Sequence, residues 1–128
     1  MSNSVSQFFK DNRKDRDNEK YAATKRFVDD KGEAIEWVLR PLSSKRVDFI
    51  RKNAKDDDEL SRKLTAEAVV FPNLRDTGLQ DSYGVKKPED LLYELMYPDE
   101  LIALEMKVLE MNGFDKNLVD YVNIAKNS

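Results

Sequence analysis

The chain carries no cysteine and no histidine, so any chemistry it performs falls to carboxylates, lysine, tyrosine, serine or threonine. Thiol nucleophiles, Cys/His zinc sites and every histidine-based triad are excluded. The densest set of reactive groups is the run Asp56, Asp57, Asp58 and Glu59, whose carboxylates could hold a cation. The run lacks the glycine and alternating ligands of a calcium loop, and no nucleophile partner accompanies it. Acids gathered at the positive end of a helix account for it more simply. Glu105 is the other carboxylate of interest, because it falls among apolar neighbours and either is buried or points out through a gap. Alone, it lacks the paired acid, nucleophile or metal cluster of hydrolytic chemistry. These residues predict no enzyme, no cofactor and no metal site.

Composition narrows the classes further. At 128 residues the chain is long enough for one domain with a real core and too short for two. Its 25 acids and 22 bases are interspersed and leave a net charge of −3. That surface argues against nucleic-acid binding, which needs a concentrated basic footprint. The polar opening residues and the lack of a long apolar run predict no signal peptide and no membrane span. The absence of cysteine fits a reducing compartment, and the expected location is the cytoplasm where the chain is made.

The elements that must position any binding surface read as an α+β fold, predominantly helical, with an N-terminal β-hairpin packed on a compact bundle of about five helices. Residues 1–20 read as a flexible, charged leader with a short N-terminal helix built from Val5, Phe8 and Phe9. Those aromatics are either a frayed end packed weakly on its own domain or a hook for a partner. Residues 21–128 read as one domain. In it, residues 24–28 and 35–40 form the hairpin strands, with Asp29, Asp30, Lys31 and Gly32 as the reversal. Ile35, Trp37 and Leu39 share the face that must lie against helices.

Ser43 is the expected N-cap of a helix whose inner stripe is Val47, Ile50 and Ala54. The next helix follows the acid run, with Leu60, Leu64, Ala68 and Phe71 on one face, and Pro72 stops it. Residues 79–85 predict a short helical turn closed by Gly84. Pro88 opens a helix that buries Leu91, Leu92, Leu95 and Met96. Tyr97 and Pro98 interrupt it before the next helix, which ends at Asn112 and Gly113. Asp115 caps a last helix bearing Leu118, Tyr121, Val122 and Ala125.

The helix over residues 99–111 is the unusual one. Its apolar residues cover roughly 220° of the circumference, more than one surface helix needs. Either it is the central helix of the bundle, or one edge of the arc stays open for an apolar helix of a partner. Met96, Met106 and Met111 suit such a surface, because methionine adapts to varied shapes. The candidate partner-binding residues are Met96, Leu101, Leu104, Glu105, Val108 and Met111, together with Phe8 and Phe9.

Several segments in order and spacing carry a resemblance: SVSQFFKDN at residues 4–12, the TKRFVDDKGEAIEWVLRPL hairpin, AEAVVFPNL at 66–74, LQDSYGV at 79–85, and MNGFD at 111–115. Together they resemble the XkdN-type tail assembly chaperones of tailed bacteriophages and phage-like elements. The charge-rich stretch between Asn12 and Tyr21 departs from the pattern. The resemblance implies a non-enzymatic factor that binds the tape measure protein, keeps its apolar helices soluble and helps recruit tail tube subunits. It further implies a protein of the bacterial cytoplasm that is absent from the finished tail.

Such chaperones are often made in two lengths by programmed ribosomal frameshifting. Ala125, Lys126 and Asn127 can be encoded with a slippery A-AAA-AAY run, so a longer form contacting the tail tube protein is expected, with chance coding as the alternative. A small helical regulatory adaptor that binds a transcription factor also fits an apolar groove without catalysis. Weak self-association is left open by the sequence.

Overall fold

A computed structural model describes residues 2–114. After two short 3-10 turns, Val5–Phe8 and Lys10–Asn12, come strands β1 (Glu19–Tyr21) and β2 (Trp37–Leu39). Helices α1 (Ser44–Asn53) and α2 (Asp57–Ala68) follow, then strand β3 (Val69–Phe71). Helices α3 (Thr77–Tyr83), α4 (Pro88–Leu95) and α5 (Pro98–Met111) complete the described chain. The fold is α+β and mostly helical, as the hydrophobic patterning predicts. The expected helix after Asp115 lies outside the described residues.

The sheet has the order β1-β2-β3 and is antiparallel throughout. Tyr21 faces Trp37 and Glu19 faces Leu39 across one pair; Leu39 faces Val69 across the other. Trp37 and Leu39 are buried on the inner side of the central strand, as their alternation requires.

Two strand expectations need correction. Residues 24–28 do not form the partner of β2: only a single bridge joins Val28 to Ala34, and β1 lies earlier in the chain. The reversal itself is as expected. Asp29 Oδ1 accepts from the amides of Lys31 (2.8 Å) and Glu33 (3.0 Å), and Gly32 takes the left-handed φ of 80°. The side chains of Thr24 and Arg26 are instead committed to the α4–α5 corner, described below.

The second correction concerns α2, which stops at Ala68 rather than reaching Phe71. Val69, Val70 and Phe71 favour extended backbone, and the residue before Pro72 is barred from the helical region. The chain passes directly from helix into β3, and the Arg40 amide meets the Ala68 carbonyl at 2.8 Å. Phe71, expected on the inner helical face, is therefore exposed.

Helix boundaries otherwise follow local chemistry. Ser43 Oγ accepts from the Arg46 amide at 3.1 Å, and Asp56 Oδ1 from the Glu59 amide at 2.8 Å. Asp76 caps α3 in the same way, so the helix starts at Thr77, two residues before the expected start, and Gly84 ends it in the left-handed region at φ 69°. Proline stands at the first turn of both α4 and α5, where its missing amide costs nothing.

Helix α2 packs against α1, α4 and α5 and continues into the sheet. Leu39, Leu91, Leu92, Leu104 and Val108 are fully buried around it, with Thr65. Each large aliphatic side chain so buried contributes about 1.5–3 kcal/mol.

Candidate partner-binding surface

The acid run is committed to helix α2. Asp56 is its cap, Asp57, Asp58 and Glu59 fill its first turn, and Glu59 pairs with Lys63 at 2.8 Å. Among the described residues no three acidic side chains converge as a metal site would require, and no helix is long and apolar enough to cross a membrane.

Helix α5 presents two apolar edges with different fates. Leu101, Leu104, Val108 and Met111 recur every three or four residues and face inward, and Met96 at the preceding corner is buried with them. These residues, candidate partner contacts in the sequence, form the seam that seats α5 on the core. Ile102 (62% exposed) and Met106 form the other edge, one turn apart and open to solvent. The sequence showed that the arc was too wide. It did not show which side was covered, because α2 and α4 decide that.

Glu105 lies between these edges, half-buried on the side of α5 that faces α2. Burial pushes its carboxyl above the ordinary range, helped by the charge of Asp58 and opposed by a Ser61 hydrogen bond and the Arg62 charge. It does not simply project into solvent. Arg62 itself lies over the Tyr93 ring at 4.7 Å.

The α4–α5 corner is clamped by the loop after β1. Thr24 Oγ1 donates to Glu100 Oε1 at 2.9 Å, and the same oxygen accepts from the Tyr97 amide at 2.9 Å. These two bonds, the Tyr97 amide first, hold the Glu100 carboxyl below its usual range. Arg26 reaches the Glu94 carbonyl at 3.1 Å and lies over the Tyr97 ring at 4.6 Å. At the far end of α5, Arg16 donates to the Met111 carbonyl at 2.9 Å and Asn112 Oδ1 accepts from the Leu42 amide at 2.7 Å.

Phe8 and Phe9 sit at the opposite extreme from the α5 seam. Ser4 opens their 3-10 turn, its amide donating to Gln7 Oε1 at 2.7 Å. Val5 is also exposed, and Phe8 and Phe9 are 86% and 61% exposed.

A last cluster was not picked out by the sequence. Glu67, with its side chain only 10% exposed, takes Arg46 at 2.7 Å, Arg75 at 2.8 Å and Arg40 at 3.2 Å. Burial raises its pKa, but the Arg46 hydrogen bond and the three guanidinium charges outweigh that and hold it low. The arginines come from three separate places in the chain, so no local pattern announces them.

Comparison with known proteins agrees with this architecture. The phage XkdN-like tail assembly chaperone (TAC) family profile matches residues 5–126. The phage-like element PBSX protein XkdN of Bacillus subtilis (strain 168) is 28% identical over 123 residues, covering 84% of this chain and 83% of that protein. The uncharacterized protein YqbN of the same organism is 26% identical over 119 residues, covering 81% and 80%. The crystal structure of YqbN superposes with a TM-score of 0.82 at 22% identity, covering 90% of this chain and all of that one, and so shares its fold. With the profile spanning nearly the whole sequence, the chain belongs to the XkdN-like phage tail assembly chaperones, a non-enzymatic family.

Proposed function

We propose that this chaperone binds the tape measure protein in the host cytoplasm, keeps it soluble during tail assembly, and helps recruit tail tube subunits without entering the finished tail. The observation that supports the reading is two groups of large apolar side chains left in solvent: Val5, Phe8 and Phe9 at the N-terminal 3-10 turn, and Ile102 and Met106 on α5. Isolated exposed apolar residues are ordinary, whereas three presented together within five residues suit capture of an apolar helix. Weak contacts repeated along one long partner give coverage that is strong yet removable. A longer form, made by slippage at the codons for Ala125 to Asn127, would supply the tube contact.

Co-expression of the tape measure protein from the same genome tests the reading. The soluble fraction of tape measure should rise with the chaperone present, and the gain should shrink with F8D/F9D. Equal solubility with and without the chaperone would sink the proposal. AAG at Lys126, or an alanine codon not ending in A, would remove the slippage site.

A further inference from the structure

The arginine cluster around Glu67 is built unlike the other ion pairs. Among the described residues Glu67 is the only carboxylate paired with Arg40, Arg46 or Arg75. One carboxylate has two oxygens, whereas each guanidinium carries five N–H donors. Glu67 thus leaves excess positive charge on a chain whose net charge is −3. The three arginine side chains are about half exposed, at 48%, 45% and 63%. A buried acid under exposed bases positions those bases as a group facing outward.

Beside this cluster lies a cleft of about 150 Å³, lined by Arg46, Phe49, Ile50, Glu67, Arg75 and Pro88 among others. Arg46 lies over the Phe49 ring at 5.1 Å, yet that ring remains exposed. Two further charged groups line the cleft: Lys63, which is paired with Glu59, and Glu89, which stands in the first turn of α4. The volume is well below the roughly 300 Å³ at which small-molecule and cofactor sites begin. It matches a single apolar side chain.

We infer that this cleft docks an acidic, apolar-anchored peptide segment of a partner protein, one apolar side chain entering beside Phe49 while flanking carboxylates meet Arg46, Arg75 and Arg40. The inference rests on the partner-binding reading above and adds the chemistry of the partner segment. Charge selects it: a basic segment would meet three guanidiniums, and an uncharged one would leave them unanswered. Arginine suits the task because its planar fork pairs with carboxylates in two-point geometry.

The test is fluorescence anisotropy with a labelled amphipathic peptide bearing leucine anchors and glutamate flanks, against the same peptide with lysine flanks. The acidic peptide should bind about tenfold more tightly, and its affinity should fall when salt is raised to about 0.5 M. The variant R46Q/R75Q, which leaves Arg40 on Glu67, should weaken binding about tenfold. Should that variant lose its fold by circular dichroism, F49A removes the exposed wall of the cleft without touching Glu67 and should weaken binding severalfold. Equal binding of both peptides, no effect of either variant, or tighter binding of single-stranded DNA than of the acidic peptide would overturn the inference. The two readings fail separately. Tape measure solubilised with no acidic-peptide preference leaves the chaperone reading standing. A peptide preference without solubilisation leaves the cleft standing.

Discussion

The hydroxyl of Thr24, 2% exposed, donates to the carboxylate of Glu100 across 76 residues of chain, at 2.9 Å. This bond seats the loop after β1 on the first turn of α5. It also explains why residues 24–28, expected as a strand, do not pair as one. The Thr24 oxygen in turn accepts from the Arg26 amide at 3.2 Å, so one hydroxyl orders the loop and fixes the corner.

Replacing Thr24 by valine keeps the shape and removes both hydrogen bonds. The expected loss is about 1–3 kcal/mol, since the Arg26 amide loses its acceptor and Glu100 loses one of its hydrogen-bond donors. Urea denaturation measures it. An unchanged midpoint would mean that the clamp contributes nothing to the fold.

The two edges of α5 should respond in opposite ways. L104A removes a fully buried side chain and should cost about 2–5 kcal/mol. I102D changes a residue that is 62% exposed and should stay within about 0.5 kcal/mol of the parent. Comparable losses in the two variants, by chemical denaturation, would contradict the assignment of seam and open edge.

That contrast also marks how far the sequence could be read. Caps and breaks were legible because they depend on neighbours in the chain: Ser43, Pro88 and Gly84 stand where they were expected. Strands of three residues were not, because their pairing is set at a distance. Glu19–Tyr21 hides within a charge-rich stretch, and Val69–Phe71 continues a helical pattern without a break. The same limit governs the binding surface. Periodicity gave α5 too wide an apolar arc, whereas only the positions of α2 and α4 separate Leu104 from Ile102. The Glu67 cluster joins residues from β2's end, α1 and the loop before α3, and no spacing rule gathers those.

Acid should weaken the fold partly through Glu67. Its folded-state pKa lies below the ordinary 4.5, so its contribution is complete above that value and is lost as pH falls through the lowered folded one. E67Q should lower the melting temperature at pH 7 and flatten the acid side of the stability profile, because a neutral amide no longer loses its attraction for three arginines on acidification. A profile for E67Q parallel to that of the parent between neutral pH and about pH 3 would show that the cluster carries no linkage.

Glu105 should behave in the reverse sense. Its folded-state pKa is raised, chiefly by burial, so the folded chain binds that proton more tightly than the unfolded chain does. The stabilisation is fully present below the ordinary carboxylate value of 4.5 and is lost as pH climbs through the raised folded value, leaving a deficit at pH 7. E105Q removes the cost of holding a charge there while its amide oxygen can still accept from Ser61. The substitution should therefore raise the melting temperature at pH 7 by about 2 °C, with the gain vanishing near pH 4. Arg62 provides the competing term, since its charge favours the ionised form. A fall in melting temperature at pH 7 would mean that the attraction to Arg62 outweighs desolvation and that Glu105 is held as a stabilising carboxylate between α2 and α5.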